Sequence, residues 1–445
     1  MKAIQRVFLA GLLGLIGLWF LADTLLPQPL TYFSFRDVFV QLTGILAIGA
    51  MSAGMLLAVR PKWLEPRLRG LDKMYRLHKW LGITALVTSV MHWWFAQGTR
   101  WMLGWGWIER RVRNSGSSDI ELHGLAAWLD AQWHLAHTIG QWTFYVAAAL
   151  MALALIKVFP YHWFRKTHTW LTAAYLLLVF HGIVLVKLSY WSQPVGWATA
   201  LLMAAGTISA LIVLAKRSGT RRHVAGRIEA LTHHPEMRVL ETTIRLEAGW
   251  RGHAAGQFAF VTSDRKEGAH PYTIASTWDA SDRRLVFMTK ELGDHTRRLP
   301  ERLQVGDAVT VEGPYGSFDF RDGLPQQIWV GAGIGITPFI ARMKELAKEP
   351  GQQVIDLFHS TSNISGAALD KLKADARAAN IRLHLLIGGR DGRLDAERVR
   401  AAVPQWQRAS VWFCGPNGFG KSLRDDLVAA GLSPSDFHQE LFEMR

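Results

Sequence analysis

The stretch LHKWLGITALVTSVMHWW at residues 77–94 sets two histidines, His78 and His92, inside a run of mostly apolar residues. A second stretch, THTWLTAAYLLLVFHGIV at residues 167–184, does the same with His168 and His181. Ionisable side chains are costly inside a lipid bilayer, so two pairs at nearly equal spacing indicate bound cofactors rather than chance. The two stretches therefore predict a membrane-embedded helical domain built around these four histidines.

Six apolar segments precede residue 216, at residues 7–22, 38–59, 80–97, 139–159, 169–186 and 195–215. Most are close to the ~20 residues that a membrane-spanning helix requires. The first segment has the composition of a signal peptide, but no small-residue cleavage site follows it, so a retained anchor is expected. From residue 216 onward charge, glycine and short β-like runs are mixed as in a soluble enzyme. A membrane half is thus predicted to precede a soluble half.

Positive charges indicate which ends of the segments face the cytoplasm. They gather between the second and third segments and directly after the sixth: Arg60, Lys62, Arg67, Arg69, Lys73, Arg76, Lys79, Lys216, Arg217, Arg221 and Arg222. The positive-inside rule puts these ends in the cytoplasm and residues 98–133 outside. Much of the formal net charge of +14 lies in these loops, so anionic lipid is the expected partner and nucleic acid is not.

The single cysteine excludes several kinds of metal site, and the positions of the tryptophans support the membrane assignment. Cys414 is the only cysteine, which excludes disulfides within the chain, thiolate-bound iron–sulfur clusters and a multi-cysteine zinc site. Fifteen of the 20 tryptophans lie before residue 200, many at segment ends, as interfacial belts predict. Redox chemistry in this chain must therefore use carriers other than sulfur-bound metal.

Helix geometry arranges the four histidines at two depths. His78 and His92 are fourteen residues apart, which gives a rise of ~21 Å within ~40° on one helix face. His168 and His181 are thirteen apart, a rise of ~20 Å, although an ideal helix turns the second ~140° away from the first. Both segments run from the cytoplasm outward. Depth therefore pairs His78 with His168, and His92 with His181.

Each pair offers two side-chain ligands to one haem iron and leaves no open coordination position, which favours electron transfer over oxygen binding at the metal. The alternative is that the histidines form interhelical hydrogen bonds, as membrane bundles do. Four histidines matched in depth favour haem over that alternative. The other histidines of this half, His123, His134, His137 and His162, fall in loops or at segment ends and are expected to be solvated.

The soluble half contains two kinds of strand pattern. Short β-like runs at residues 239–246, 257–262, 272–276, 285–289 and 308–312, separated by glycine and proline, predict a small antiparallel β-barrel. Runs at 327–330, 354–358, 383–387 and 411–413 alternate with helical stretches and predict an α/β domain with a parallel sheet. The expected domains are therefore residues 1–216, 217–323 and 324–445.

Four motifs in this half suit a nucleotide-bearing cofactor. The sequence HPYTIAS at 270–276 sets an aromatic ring and hydroxyls on a strand, where they can stack on a planar ring and bond to it. The sequence GDHT at 293–296 opens a short helix whose N–H groups suit a pyrophosphate. The loop GAGIGITP at 331–338 has three alternate glycines, which let backbone approach a phosphate. The sequence CGP at 414–416 ends a strand at the edge where such sheets bind ligands.

Together with GQF at 256–258 and EGPYG at 312–316, these motifs resemble the ferric reductase and NADPH oxidase family over nearly the whole chain. That family joins a six-helix transmembrane haem domain to a ferredoxin–NADP reductase-like module. The resemblance implies two haem b groups, FAD, and NADPH or NADH as cofactors. It assigns the haem to His78, His92, His168 and His181; the flavin to His270, Pro271, Tyr272, Thr273, Ile274, Ser276, Gly293, His295 and Thr296; and the nicotinamide dinucleotide to Gly331, Gly333, Gly335, Thr337, Pro338, Cys414, Gly415 and Pro416.

The resemblance also implies catalytic positions. The sequence departs from the family pattern at three places. Tyr272 and Thr273 are expected at the isoalloxazine and Cys414 near the hydride path. The chain ends in FEMR rather than in an aromatic residue, so Phe442 is the candidate cover for the flavin. Family members commonly have an arginine that binds the 2′-phosphate of NADPH at a position where this chain has HSTS, residues 359–362. Arg390 and Arg393 are the candidates to replace that arginine. Oxidases of this kind often carry another histidine one turn after the outer ligand, where this chain has Ala96.

The predicted function is that of an NAD(P)H-dependent flavohaem reductase, an integral protein of a bacterial inner membrane with its soluble domains in the cytoplasm. Electrons are expected to pass from NAD(P)H through FAD and two bis-histidine haems to ferric chelate or dioxygen outside. Two alternatives stay open: a membrane cytochrome that donates to a partner protein or quinone, and a haem or iron transporter with a reductase-like regulatory domain.

Overall fold

The computed structural model describes residues 2–61, 63–68, 70–109, 124–156, 161–215, 222–264 and 267–440. The described chain forms two compact units. One contains the residues up to 215 apart from 70–72, and the other contains 70–72 and the residues from 222 onward. Five charges used in the orientation argument lie outside the described residues: Lys62, Arg69, Lys216, Arg217 and Arg221. The segment 110–123, which includes His123, also lies outside them.

The first unit is helical. Its helices within the described ranges are α1 (Lys2–Phe20), α2 (Tyr32–Ala58), α3 (Glu65–Leu68), α4 (Leu71–Gly104), α5 (Leu125–Ala131), α6 (Trp133–Leu155), α7 (Tyr161–Leu185) and α8 (Pro194–Leu214). A capping box starts α2, because the N–H of Ser34 donates to the Thr31 hydroxyl and the N–H of Thr31 donates to the Ser34 hydroxyl. Pro194 occupies the first turn of α8, where its missing N–H costs nothing.

Four helices are long and apolar enough to cross a membrane: α2, α6, α8 and the Lys166–Leu185 part of α7. These agree with four of the six predicted segments. The first predicted segment lies in a shorter apolar helix, Ile4–Phe20, and the third lies in α4. Histidine, tryptophan and hydroxyl side chains make that stretch of α4 less apolar than the four spans. A count of six spans therefore stays a prediction.

Helix packing in this unit depends on close backbone approach. α2 packs on α8, and α6 packs on α7. The Tyr175 hydroxyl of α7 lies 2.9 Å from the Ser52 hydroxyl of α2 and donates to the Met203 carbonyl of α8 at 3.3 Å. A Cβ at Gly206 would lie 2.1 Å from that tyrosine oxygen, so only glycine fits there.

The second unit begins with an antiparallel sheet. Its strands are β1 (His223–His234), β2 (Val239–Leu246), β3 (Phe258–Thr262), β4 (His270–Thr273), β5 (Arg284–Lys290) and β6 (Ala308–Tyr315), in the order β4-β3-β6-β1-β2-β5. Two short helices, α9 (Asp294–Arg297) and α10 (Leu299–Arg302), follow β5. An isolated antiparallel bridge joins Ile274, just after β4, to Phe287 of β5. This bridge brings the two edge strands together and favours the predicted barrel.

A five-stranded parallel sheet completes the second unit, as the sequence predicts. It contains β7 (Gln326–Ala332), β8 (Val354–Thr361), β9 (Arg382–Ile387), β10 (Ser410–Cys414) and β11 (Phe437–Gln439), in the order β11-β10-β7-β8-β9. The accompanying helices are α11 (Thr337–Lys348), α12 (Gly366–Ala378), α13 (Ala396–Ala402) and α14 (Asn417–Ala429). Trp329 and Phe339 are fully buried in the core, as expected for a sheet covered on both faces.

Candidate functional site

The four histidines of the membrane unit meet in two pairs, one member of each pair from α4 and the other from α7. The ring centroids of His78 and His168 are 5.9 Å apart, and those of His92 and His181 are 6.2 Å apart. These are the pairs that the depth argument predicts. α7 runs as one helix from Tyr161 to Leu185, so both contacts are made from a single element.

Backbone carbonyls orient three of the four rings. The Nδ1 atom of His78 bonds to the Gly54 carbonyl at 2.9 Å, that of His92 to the Val40 carbonyl at 2.9 Å, and that of His181 to the Ala136 carbonyl at 2.8 Å. With Nδ1 donating, each of these rings presents Nε2 as its lone-pair nitrogen. A hydrogen bond of this kind on the second ring nitrogen is the usual support for a metal-binding histidine.

Glycines make room for these rings. A Cβ on Gly140 would lie 2.0 Å from the His181 Nδ1 atom, and a Cβ on Gly44 would lie 3.2 Å from the His92 Cε1 atom. A Cβ on Gly54 would lie 3.8 Å from the His78 Nδ1 atom, an ordinary contact distance. Side chains at the first two positions would displace or crowd the histidine.

These residues fit two haem groups. Each pair supplies two imidazoles from opposite helices, the donor set of a six-coordinate electron-transfer haem. His168 differs from the other three, since its buried Nδ1 has no hydrogen-bond partner in the described part of the chain.

The predicted flavin segment forms β4 and the turn that follows it. Tyr272 lies on β4, paired with Ala259, and its hydroxyl is 3.1 Å from the His295 Nε2 atom of α9. Burial, with the nearby charge of Glu267, raises the pKa of Tyr272, so the hydroxyl keeps its proton. The structure thus brings together β4 and the 293–296 turn, as the motifs predict.

Other residues of this segment are placed less favourably for side-chain contact with a cofactor. Ile274 is fully buried in the core, and its backbone N–H donates to the Gln257 carbonyl. The Ser276 hydroxyl accepts the Val286 N–H at 3.1 Å. In the 293–296 turn, the N–H groups of Leu292 and Gly293 both donate to the Thr296 hydroxyl, at 3.0 and 3.1 Å. Those two N–H groups are therefore occupied within the turn.

The glycine-rich loop and the CGP segment lie side by side, as the sequence predicts. Gly331 of β7 pairs with Cys414 of β10 in the parallel sheet. A Cβ on Gly335 would lie 2.1 Å from the Cys414 carbonyl oxygen, so the loop can approach the strand end only with glycine there. The Thr337 hydroxyl donates to the Ile334 carbonyl at 2.7 Å and starts α11, with Pro338 in its first turn.

Cys414 is buried beside an acid that sequence reasoning did not identify. Burial raises the pKa of its thiol, and the negative charge of Glu440 raises it further. Glu440 is itself buried and lies against Gly316, where a Cβ would come within 2.8 Å of its Oε1 atom. The pairing of β11 with β10 places Glu440 here. A single acid near the chain end carried no sequence pattern that would have identified it.

The segment expected to hold the 2′-phosphate of NADPH carries neutral groups. His359 is buried, its Nδ1 donates to the Gly331 carbonyl at 2.9 Å, and burial lowers its pKa. Arg390 pairs through two hydrogen bonds with Asp391, at 2.9 Å each. Arg393 is exposed. Of the two alternative arginines, Arg390 is thus already matched by a carboxylate.

The structure differs from the sequence prediction for His137 and does not describe Phe442. His137, expected to be solvated, is half-buried on α6, where it stacks on Trp133 at 5.3 Å and lies 3.5 Å from the Gln97 amide nitrogen. It follows Ala136, whose carbonyl orients His181. The candidate flavin cover, Phe442, lies outside the described residues.

Comparison with known proteins agrees with this division into a membrane unit and a flavin module. Residues 43–179 match the family "ferric reductase like transmembrane component", and residues 233–319 match the family "FAD-binding domain". The NADPH oxidoreductase of Mycobacterium tuberculosis is 28% identical over 268 residues, which cover 56% of this chain and 68% of that protein. The flavohemoprotein of Chromobacterium violaceum is 31% identical over 173 residues, 34% of this chain and 41% of that protein.

The flavohemoprotein of Rhizobium meliloti is 26% identical over 159 residues, and the match spans 39% of its length. Among solved structures, the flavohemoglobin of Malassezia yamatoensis is 16% identical with a TM-score of 0.48, covering 92% of this chain and 97% of that one. The two matched families occupy the membrane unit and the antiparallel sheet, in the order expected. The chain therefore joins a membrane component of the ferric reductase type to an FAD- and NAD(P)H-binding oxidoreductase module.

Proposed function

We propose that this chain is a transmembrane oxidoreductase that takes electrons from NAD(P)H on the cytoplasmic side and delivers them to an acceptor on the opposite side. The acceptor is a small molecule, either chelated ferric iron or dioxygen. The membrane unit spans a bacterial inner membrane six times, and the soluble domains, 217–323 for FAD and 324–445 for NAD(P)H, lie in the cytoplasm.

The observation that carries this proposal is the pair of histidine levels in the membrane unit. His78 with His168, and His92 with His181, each bring two imidazoles from separate helices together, with ring centroids 5.9 and 6.2 Å apart. Three rings are held by backbone carbonyls through Nδ1. One ring pair at one depth would suit a single cofactor, whereas two depths suit transfer across the membrane.

Different residues would hold the flavin and the nicotinamide dinucleotide. Tyr272 and Thr273 of β4 would hold the flavin ring, and the loop at 331–338 with Cys414 would hold the dinucleotide. When bound, FAD supplies the change from a two-electron hydride to single electrons, and haem iron supplies one-electron carriers at two depths. Buried Glu440 holds a carboxylate beside Cys414 and shapes the charge where hydride would pass.

The side of the membrane follows from charge. Arg60, Lys73, Arg76 and Lys79 lie before or early in α4, and Arg222 follows α8. These ends face the cytoplasm by the positive-inside rule. His92 and His181 are then the outer pair, nearer the acceptor.

The test is removal of one outer ligand from the full-length protein reconstituted with haem and FAD. His92→Leu should lower bound haem from two to one per chain, abolish reduction of an external acceptor, and leave NAD(P)H-dependent flavin reduction intact. His134→Leu, an exposed histidine on α6, is the matched control and should change none of these. Continued slow reduction of external ferric chelate by the His92→Leu protein would contradict the assignment.

The same preparation separates the alternatives. A bis-histidine haem spectrum that NAD(P)H bleaches supports the oxidoreductase, and a spectrum that NAD(P)H leaves unchanged supports the haem or iron transporter. Adding ferric chelate, dioxygen or quinone to the reduced protein then identifies the acceptor by which of them restores the oxidised spectrum.

A further inference from the structure

One side chain of α2 clamps the end of α7, the helix that carries His181. The Nε2 atom of Gln41 donates to the Leu185 carbonyl at 3.0 Å, and its Oε1 atom accepts the Lys187 N–H at 3.2 Å. Leu185 is the last residue of α7. The last carbonyls of a helix have no partner within the helix, so a side-chain donor fixes this end in place. These two bonds of Gln41 are the clamp.

The residue before Gln41 holds the other histidine of the outer pair. The Val40 carbonyl bonds to the His92 Nδ1 atom at 2.9 Å. Two consecutive residues of α2 therefore contact both helices of the pair, since Val40 contacts α4 and Gln41 contacts α7. His181 lies about one turn before Leu185 on α7. The separation between His92 and His181 thus depends on where α2 holds the end of α7.

An ion pair supports the clamp from the end of α1. The Lys187 ammonium donates to the Asp23 carboxylate, and the Tyr190 hydroxyl donates to the same carboxylate at 2.5 Å. The Trp19 Nε1 atom donates to the Tyr190 hydroxyl at 3.1 Å, and both rings are fully buried. Burial raises the pKa of Asp23, but the bonds from Lys187 and Tyr190 more than offset this and hold it below its usual range. Asp23 is therefore charged at neutral pH and fixes the Lys187 side chain.

A second side-chain contact between α2 and α7 lies near the inner level. The Ser52 hydroxyl is 2.9 Å from the Tyr175 hydroxyl. Ser52 follows Gln41 by eleven residues, a rise of ~16 Å, and comes two residues before Gly54, whose carbonyl orients His78. The same two helices are thus joined at a different depth, which provides a comparison for the clamp.

We propose that Gln41 is a positioning residue for the outer haem, because its clamp on the end of α7 keeps His92 and His181 at the spacing that two axial ligands need. Asp23 supports the clamp through Lys187. The inference rests on the proposed function in one respect, namely that this pair binds a haem. It adds a residue that acts at the outer level alone, and it makes the end of α1 part of the outer haem site.

The consequence of losing the clamp follows from haem coordination. A haem with two histidine ligands has no open position, so it does not bind carbon monoxide. When the end of α7 is free to move away from α2, His181 leaves the iron in part of the molecules. The open position then accepts carbon monoxide. Carbon monoxide binding to the reduced protein therefore reports on the clamp independently of flavin and of any external acceptor.

The experiment uses the full-length protein in detergent, loaded with haem and reduced with dithionite. Carbon monoxide binding is measured by difference spectra, and the midpoint potential of each haem by spectroelectrochemical titration. The wild-type protein should bind no carbon monoxide. Gln41→Leu, which has a side chain of similar size but makes neither bond, should bind carbon monoxide at one haem per chain and shift the potential of that haem alone. Asp23→Asn should show the same change in a smaller fraction of molecules.

Ser52→Ala is the matched control, because it removes a contact between the same two helices near the inner level. It should bind no carbon monoxide. The spectrum of His92→Leu, which keeps the inner haem, identifies which haem changes in the other variants.

A Gln41→Leu protein that binds no carbon monoxide, or that binds it equally at both haems, would overturn the inference. Should Gln41→Leu hold no haem at all, Asp23→Asn decides: carbon monoxide binding at the outer haem supports the inference, and its absence overturns it. If the wild-type protein itself holds no haem, the proposed function fails. A wild-type protein with two haems and a Gln41→Leu variant that behaves like it removes only this inference.

Discussion

At the scale of single residues, glycine decides whether the histidine pairs can exist. Gly140 leaves space for the His181 ring and Gly44 for the His92 ring, at distances that a Cβ would close to 2.0 and 3.2 Å. Gly54 contributes only its carbonyl, at 2.9 Å from the His78 Nδ1 atom, and tolerates a Cβ at 3.8 Å. Gly140 and Gly44 therefore supply space for a histidine ring, whereas Gly54 supplies a hydrogen-bond acceptor.

Gly140→Ala should remove the outer cofactor selectively. The added methyl group overlaps the His181 ring, which must turn away from His92. We expect bound haem to fall from two to one per chain, measured as a pyridine haemochrome. Gly54→Ala is the control and should retain both haems, because its Cβ meets His78 at an ordinary contact distance. Equal haem content in the two variants would contradict this assignment.

Cys414 should be chemically inert in the folded protein. Burial and the charge of Glu440 raise the pKa of its thiol, so the reactive thiolate is scarce at neutral pH. Alkylation by a maleimide, followed by intact-mass spectrometry, should be at least about tenfold slower than in the urea-unfolded chain. Glu440→Gln should speed it modestly. A native rate equal to the unfolded rate would contradict this, and no other cysteine complicates the reading.

Residue-level prediction succeeded where a spacing carried the information. The pairing of His78 with His168 and of His92 with His181 follows from the helical rise together with the common direction of the two segments. Glu440 and His137 gave no such signal, since each is a single polar residue and the contacts of Glu440 with Gly316 and of His137 with Gln97 join distant parts of the chain. Ile274 lay inside a recognised motif, but its side chain belongs to the core and can serve a cofactor only through its backbone.

At the scale of elements, strand prediction depended on visible alternation. β2 lies at the predicted residues 239–246, and β7 to β10 extend the predicted runs by one to three residues at one or both ends. β1 was not predicted, because Gly226 occupies one of its buried positions and breaks the apolar alternation. A Cβ there would lie 2.9 Å from the Arg245 carbonyl oxygen. β11, with three residues, was too short to produce a pattern.

β8 contains a buried carboxylate whose hydrogen-bond partners lie on β9. The contribution of this carboxylate to the free energy of unfolding should depend on pH. Asp356 is fully buried and accepts bonds from His384 at 2.9 Å and from Arg382. Burial alone would raise its pKa, but these two bonds more than offset it and hold the pKa below its usual range. The carboxylate therefore stabilises the fold at neutral pH, and this contribution is lost as pH falls through the depressed pKa.

Asp356→Asn should destabilise the protein by about 2 kcal/mol at neutral pH, the contribution of hydrogen bonds to a charged group. The deficit should shrink below pH ~4, where the wild-type carboxyl also begins to lose its charge. Denaturant unfolding at several pH values measures both. Asp425→Asn, an exposed acid of α14, is the control and should change stability by less than about 0.5 kcal/mol. A deficit that stays constant with pH would contradict the role of the charge.

At the scale of the whole molecule, the division into a membrane unit and a soluble unit could be predicted from composition. The number of spans could not be settled in the same way. The histidines and tryptophans of α4 that serve the cofactor and the interface also lower its apolar character, so the functional helix is the one that composition identifies least well. The orientation rests on charge and requires its own test.

Single cysteines placed in a Cys414→Ala background should report the orientation. Trp63 and Trp105 are each 57% exposed and lie before and after the membrane part of α4. A membrane-impermeant maleimide applied to intact spheroplasts should label Trp105→Cys and should label Trp63→Cys only after permeabilisation. The reverse pattern would invert the topology and with it the direction of electron delivery.

The carbonyls that hold the two α4 histidines both come from α2, and Val40 and Gly54 are fourteen residues apart, as are His92 and His78. Two antiparallel helices thus keep the same length between their contact points. A one-residue insertion or deletion inside either interval would shift one contact by ~1.5 Å and rotate it by roughly a quarter turn. An insertion or deletion in one of these intervals should therefore be tolerated only with a matching change in the other. This coupling keeps the distance between the two histidine levels constant during evolution.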